Sequence, residues 1–244
     1  MNLHVLTYNV FGMPWGLCGV ESILLWVFYD TDAEVLCFQE VFSESEKQKI
    51  QELCSRKHSQ WNCWFPEAEP TCLSRLTSYF SSITGLCILT KKNIHLEGKP
   101  FFQQFENNSC VDQWVRKGFF HIPCKKDGVL FHLITTHFQS DFTECKCRIR
   151  YQPVRDLQER QLYNYCKGFQ NMILVGDINM SKFRYFEPVN QQLEITLEET
   201  GEALDHCLRL PSQPHVSCEE VKYFHTIALS DHIPVLFHLR FGSI

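Results

Sequence analysis

Four consecutive apolar residues, Met172-Ile173-Leu174-Val175, stop at Gly176 and are followed at once by Asp177-Ile178-Asn179-Met180. A short continuous apolar run closed by glycine reads as a buried strand. Asp177 and Asn179 stand two residues apart, so in an extended segment both side chains lie on one face. One carboxylate and one carboxamide aimed into the same cleft can hold a metal, a phosphate or an attacking water. Asp, Asn and Gly are also ordinary turn residues, so the meaning of this hexapeptide depends on the rest of the chain.

Apolar runs with polar punctuation recur along the chain. Residues 2–10, 33–38, 61–65, 85–90, 94–105, 203–210, 222–229 and 233–241 read as strands, and 114–122 with 129–136 as a strand pair turning at 125–128. Helices are expected at 20–29 and at 44–57. The second opens on Ser43 with Glu46 three residues later, the form of a capping box, and turns Ile50, Leu53 and Cys54 inward. A third follows a polar loop at 138–150, with Pro153 in its first turn and Val154, Leu157, Leu162 and Tyr165 on its apolar side. Hairpin-like strand pairs beside strand–helix alternation imply mixed sheets with helices outside, not a purely parallel sheet.

No linker rich in glycine, serine or proline divides the 244 residues, and 44% of them are hydrophobic. One domain spanning 1–244, acting as a monomer, is the simplest organisation. A net charge of −5 is no footprint of a protein that holds nucleic acid electrostatically. The thirteen cysteines show no CxxC pair and no paired Cys/His zinc spacing. Several, Cys37 and Cys87 among them, lie inside apolar runs, where a free thiol acts as a small hydrophobe. The chain enters a strand pattern without a charged region and apolar signal core, and its longest apolar stretch, 23–29, is too short to span a bilayer. These features predict a reduced, cytoplasmic protein, at most peripheral at membranes.

Five polar groups end these runs: Asn9, Gln39-Glu40, Thr136-His137, Asp177-x-Asn179 and Ser230-Asp231-His232. Each alone also fits an ordinary exposed strand end, but strand ends are where α/β enzymes build sites. The residue types suit hydrolysis of a phosphate ester. Magnesium prefers oxygen ligands, needs few protein carboxylates and completes its shell with water and substrate phosphate. Glu40 with Asn9 nearby is a fitting anchor for it. A histidine titrates near neutrality and can deprotonate water for in-line attack, given a carboxylate that fixes its tautomer.

In order, Tyr-Asn-Val at 8–10, Gln-Glu-Val at 39–41, Gly-Asp-Ile-Asn-Met at 176–180 and Ser-Asp-His at 230–232 resemble the motifs of the endonuclease/exonuclease/phosphatase superfamily, spanning nearly the whole chain. The resemblance implies a four-layer α/β sandwich, two facing mixed β-sheets flanked by helices. It implies Glu40 as the principal Mg²⁺ ligand, assisted by Asn9, with Mn²⁺ able to substitute. It gives Asp177 and Asn179 the placing of phosphate and water, His232 the role of general base, and Asp231 a part in the metal-side geometry. Residues 203–208 resemble the family's penultimate strand, which assigns Asp205 to orient His232. Two departures there are His206 in place of the usual aromatic and Ala203 where an arginine is often found.

Finer detail resembles the neutral sphingomyelinases. The opening at 6–14, the strand at 85–91, the spacing of Asp112 and Lys117, and Thr136-His137-Phe138-Gln139 all follow their pattern. The resemblance implies that Asp112 and Lys117 serve substrate binding and that His137 contacts the scissile phosphate and helps the leaving group. The abasic-site repair branch lacks a histidine there. A phospholipid cleaved in phospholipase C fashion is the implied substrate, with Met13, Pro14 and Trp15 as an apolar tip that could touch lipid. Two alternatives stand beside it. One is a nuclease, or a nucleotide or inositol-phosphate phosphoesterase, of the same fold, for which Lys146, Arg148, Arg150 and Arg155 form a basic cluster beside the His137 loop. The other is a catalytically inactive interaction domain, which the full set of polar motifs disfavours.

Overall fold

Strand β1 (Asn2–Asn9) serves two layers at once. Leu3 and Val5 point to one side and join a core that also holds Phe131, Leu133, Ile173 and Val175. Leu6 and Tyr8 point to the other, among Ile23, Val27 and Ile50. Successive side chains of a strand face opposite ways, so a strand with apolar residues on both faces must be covered on both sides.

The computed structural model describes residues 1–10, 19–56, 59–67, 84–109, 112, 115–141, 148–189, 204–225 and 230–242. After β1 come α1 (Val20–Asp30), β2 (Val35–Gln39), α2 (Glu44–Ser55), β3 (Trp61–Trp64), β4 (Cys87–Lys91), β5 (His95–Leu96) and β6 (Phe101–Gln104). The second half holds β7 (Gly118–Lys126), β8 (Val129–His137), α3 (Arg148–Cys166), β9 (Met172–Asp177), β10 (Glu187–Pro188), β11 (Asp205–Arg209), β12 (Val216–Tyr223) and β13 (Val235–Phe241). One sheet runs β12-β13-β1-β2-β4-β3; the other runs β10-β11-β9-β8-β7-β5, with β6 also on β7. Among the described pairs, β1–β2 and β8–β9 are parallel and the rest antiparallel, so both sheets are mixed. The inner faces meet in one apolar core, α1 and α2 cover the outside of the first sheet, and α3 covers the outside of the second. The result is the four-layer α/β sandwich.

Ser43 caps α2 as its sequence suggests, its Oγ accepting the Glu46 N–H at 3.1 Å. Other expectations need correction. Lys125 and Lys126 belong to β7, and the turn is Asp127-Gly128 alone, with φ of 51° and 80°. That left-handed pair suits a two-residue hairpin. Lys126 stays in the strand because its ammonium reaches Glu34 at 2.7 Å. Pro153 lies inside α3, not in its first turn, since the helix begins at Arg148. The inner face of α3 is Tyr151, Arg155, Gln158, Glu159, Leu162 and Cys166, while Leu157 is exposed. Its first turns cover polar backbone, which selects polar side chains. The strand expected at 222–229 is β12, six residues earlier; as an edge strand with mostly half-exposed residues it carries no clear apolar period.

Gly176 sets how closely β9 approaches β8. Its φ is 149°, and a β-carbon there would lie 2.1 Å from the Thr136 carbonyl oxygen. That neighbour is backbone and has no rotamer to change. Gly176→Ala is therefore expected to destabilise the chain by about 2–4 kcal/mol, read as a lower urea midpoint at unchanged m-value. A variant as stable as the parent would show that this glycine does not set the strand approach.

Candidate active site

The alternation that sends Leu3 and Val5 between the sheets sends Thr7 and Asn9 there too. At the same end of the sandwich the inward positions of the neighbouring strands also turn polar: Gln39, Thr135, His137, Asp177 and Asp205, all buried. Strand pairing sets them side by side. Asn9 is opposite Gln39, His137 opposite Asp177, and antiparallel β11 brings Asp205 opposite Asp177.

Two polar tiers result. In the lower, the Gln39 amide crosses from one sheet to the other, donating to Thr135 Oγ1 at 3.2 Å and to Thr7 Oγ1 at 3.3 Å. In the upper, Asn9 Nδ2 donates to Glu40 Oε1 at 3.1 Å and to Asp177 Oδ2 at 3.0 Å. That Asp177 oxygen also lies 3.3 Å from His137 Nε2 and 3.7 Å from His232 Nε2. His232 Nδ1 meets Asp205 Oδ2 at 2.7 Å. Six of the expected site residues, Asn9, Glu40, His137, Asp177, Asp205 and His232, thus form one contiguous network.

Local backbone aims these side chains. Glu40 sits at φ 65°, uncommon for this residue type and worth about 1 kcal/mol or more of strain. Gly85, at φ 64°, makes room for it: a β-carbon there would lie 3.1 Å from Glu40 Cα and 2.5 Å from the Phe42 ring. The Val41 N–H donates to the Gly85 carbonyl at 2.9 Å. Asn179, at φ 53°, donates its backbone N–H to Asp177 Oδ1 at 3.2 Å and its side chain to the Phe138 carbonyl at 3.3 Å. Ser230 Oγ donates to the Asn9 carbonyl at 2.7 Å and accepts the His232 N–H at 3.2 Å, fastening the His232 loop to β1. Asp231 is exposed at the rim, its side chain 3.2 Å from the Ser230 hydroxyl, and its charge is among those that raise the Glu40 carboxyl.

Asp112 and Lys117, expected at the substrate, lie beside His137, buried and each 3% exposed, and pair at 2.9 Å. Lys117 Nζ also donates to the Phe138 carbonyl at 2.8 Å, touches Ser140 Oγ, and lies 3.0 Å from His137 Nε2. A buried ammonium must find partners for its protons, and here those partners hold His137 and the exit of β8. Arg155 is likewise no part of a surface cluster. It is buried and bonds Asp141 Oδ1 at 2.8 Å and the Gln139 carbonyl at 3.2 Å. Lys146, the side chains of Arg148 and Arg150, and Met13, Pro14 and Trp15 lie outside the described residues. The supporting residues that sequence reasoning missed are Thr7, Thr135, Gly85 and Ser140. The signal for the first two was present as a threonine two residues before the polar residue that ends each strand, Thr7 before Asn9 and Thr135 before His137.

Burial raises the Asp177 carboxyl to about 7, against the pull of His232. Burial also raises Glu40, against Lys117 and Asn9. Burial disfavours charge on His232, but Asp205, with Asp177 and Asp231 behind it, outweighs this and lifts the imidazole to about 10. Burial, then the charges of Lys117 and His232, holds His137 well below the usual imidazole range. The centre is thus rich in carboxylate, and its lysine is already paired with Asp112. Glu40 and Asp177 share one uncharged N–H₂ group, where two carboxylates so close call for a cation. A hard divalent ion that prefers oxygen donors fits this set.

No protein-family model matches the chain. Sphingomyelinase C 2 of Leptospira interrogans is 23% identical over 205 residues, 75% of this chain, and the match spans only 31% of that protein's length. Among solved structures, sphingomyelinase C from Streptomyces griseocarneus superposes with a TM-score of 0.67 at 17% identity, covering 98% of this chain and 99% of that one. D. rerio TDP2 complexed with single strand DNA product gives 0.68 at 14%, again covering 98% and 99%. A mutant of Staphylococcus aureus beta toxin with bound magnesium ions gives 0.67 at 17%, with the same coverage. The chain has the endonuclease/exonuclease/phosphatase fold that these proteins share.

The Asp205–His232 contact has a direct test in metal-free protein. Removing the negative neighbour disfavours the imidazolium, so Asp205→Asn should lower the His232 pKa from about 10 toward the ordinary value near 6.5. An NMR titration of labelled histidine reads this. An unmoved titration would sink the pairing.

Proposed function

We propose that this chain is a Mg²⁺-dependent phosphodiesterase that hydrolyses a phospholipid in a sphingomyelinase-like, phospholipase C manner. The observation that carries this reading is the single network from Glu40 through Asn9 and Asp177 to His232 and Asp205, at one end of the inter-sheet seam. The fold it sits in is shared with a sphingomyelinase C and with a beta toxin that holds magnesium ions.

Glu40, assisted by Asn9 and with Asp231 at the rim, would hold the metal; Mn²⁺ suits the same oxygen donors. Bound there, magnesium supplies a Lewis acid that polarises the phosphoryl oxygen and stabilises developing charge. The side chains do the rest. Asp205 holds the Nδ1 proton of His232, so that Nε2 is the atom that takes a proton from water as the water oxygen bonds to phosphorus. Compensation of the carboxylate charge is what frees that nitrogen to act as a base, because the carboxylates are what raise its pKa. Asp177, 3.7 Å from Nε2, orients the water. Asn179 places the phosphate. His137, kept neutral by burial and Lys117, contacts the phosphate and the departing oxygen as the P–O bond to the lipid breaks, and the proton taken up by His232 Nε2 returns through solvent to that oxygen. The products are a phosphorylated head group and a lipid alcohol.

A nuclease, or a nucleotide or inositol-phosphate phosphoesterase, is the second reading, favoured by the likeness to TDP2 with its DNA product. The net charge of −5 and the commitment of Arg155 to Asp141 weigh against it, since nucleic-acid binding draws on extended basic surface. The proposed setting is the cytoplasm, with peripheral membrane contact; eight cysteines among the described residues are unbridged, in keeping with a reducing compartment.

With Mg²⁺ present, head-group release from sphingomyelin or lysolipid vesicles should exceed nicking of plasmid or single-stranded DNA at equal salt. Robust DNA cleavage without lipid turnover would reverse the two readings. His232→Ala should lower kcat about 10²- to 10⁴-fold with the fold intact by circular dichroism. Glu40→Gln should raise the Mg²⁺ concentration needed for half-maximal rate and lower the rate itself. Full turnover by either variant, or by the parent protein in excess chelator, would refute the assigned role.

A further inference from the structure

A row of polar side chains crosses the outer face of the first sheet. His4 of β1 and His238 of β13 are direct antiparallel partners, and His238 is in turn opposite Glu220 of β12. The two imidazoles stack, with centroids 4.0 Å apart and planes within 9° of parallel. Asp32, on the connection between α1 and β2, closes over both rings. Its Oδ2 lies 3.0 Å from His4 Nδ1 and its Oδ1 lies 3.5 Å from His238 Nε2. On the other side of the His238 ring, Nδ1 lies 3.1 Å from Glu220 Oε2. The row is remote from the active site. His4 faces away from Asn9 across the sheet and sits roughly 17 Å back along the strand.

The His238 ring sets the roles. A carboxylate only accepts, so in the tautomer that carries its proton on Nδ1, toward Glu220, the neutral ring leaves a lone pair on Nε2. That Nε2 is buried and makes no hydrogen bond, although the Asp32 carboxylate faces it. Two acceptors held face to face are joined by what sits between them, a proton or a metal ion. Protonating both rings would stack two imidazolium ions with centroids 4.0 Å apart. A carboxylate on one ring nitrogen and a metal on the other is how metal-binding histidines are held.

We propose that His4, Asp32 and His238 bind a first-row divalent cation, zinc being the default, with Glu220 orienting His238 from behind. The donor atoms of the three ligands lie within 4.8 Å of one another. Tetrahedral zinc with bonds near 2.0–2.1 Å needs donors roughly 3.3 Å apart and in the plane of each ring, so the two stacked imidazoles would turn out of their parallel stack on binding, and His4 Nδ1 would exchange its 3.3 Å contact with the Asp32 carbonyl for the ion. Asp32 is half exposed, which gives the ion a path in and leaves room for water as a fourth ligand. Two imidazoles with one carboxylate favour zinc or copper over magnesium, so this ion is distinct from that of the catalytic centre. Once bound, it ties the α1–β2 connection to β1 and β13. Lys222, whose ammonium pairs with Glu220 at 3.3 Å, is the nearby cation that opposes binding.

The test is calorimetric titration of Zn²⁺ into the full chain under saturating Mg²⁺, with Co²⁺ spectra in parallel. One zinc should bind, and Co²⁺ should give visible d–d bands without thiolate charge transfer. His238→Gln should weaken binding by about a hundredfold or more, and Glu220→Gln about 10- to 100-fold. Lys222→Met should tighten it. Thermal unfolding should rise with zinc in the parent and not in His238→Gln. Equal affinity in the parent and His238→Gln, or charge-transfer bands that put the ion on cysteine, would overturn the site. If His238→Gln does not fold, the half-exposed Glu220 and Lys222 variants decide, and unchanged affinity in both would overturn it as well.

Discussion

Asn9 stands in the seam between the two sheets, and its one amide group donates to Glu40 on one side and to Asp177 on the other. Facing apolar sheets pack without direction, so the inner core alone does not set how they lie on each other. A buried polar tier does. Each donor or acceptor left unpartnered costs about 1–3 kcal/mol, and a one-residue slip of β1 would turn every polar tip to the wrong face. The Asn9–Asp177 bond, with the Gln39–Thr135 bond one tier below, therefore fixes the sheet-to-sheet register. The same atoms that lock the sandwich assemble the candidate site.

Burying such a tier has consequences around it. Lys117 and Asp112 are sunk beneath His137, where they complete the partners of the segment leaving β8. The polar inner face of α3 answers the same need. Gln158 accepts the Gln139 N–H at 2.9 Å and donates to the Asn107 carbonyl at 2.7 Å, while Glu159 accepts the Arg184 and Tyr185 N–H groups at 2.8 and 2.9 Å. α3 thus anchors by leucine and cysteine at one end and by backbone-directed hydrogen bonds at the other. Left-handed backbone at Glu40 and Asn179 is held by these surroundings, as strain at functional sites generally is.

One strand carries two polar clusters because its faces alternate. Asn9, on the inner face of β1, joins an oxygen-rich, carboxylate-heavy centre suited to a hard cation. His4, on the outer face, joins a histidine pair suited to a softer one. The first arises where parallel strand ends meet, the second where antiparallel partners lie directly opposite.

Much of this was legible in the chain itself. The apolar runs of β2 and β9 marked buried strands, because burial on two faces leaves no polar period. Polar residues ending those runs marked the site, and the Ser43–Glu46 spacing marked the start of α2. The tie between Asp205 and His232 came from a resemblance, since nothing in local spacing joins two residues on separate elements. What only tertiary structure decided were the pairings: Asn9 with Asp177, 168 residues apart; the depth of Asp112 and Lys117; the true inner face of α3; and the row of Glu220, His238, His4 and Asp32. The physical reason is common to all of them. Hydrophobic periodicity reports which face of a local element is covered by apolar surface. A polar side chain on a covered face has no such signature, and its partner is chosen by whichever distant strand or loop the fold lays against it.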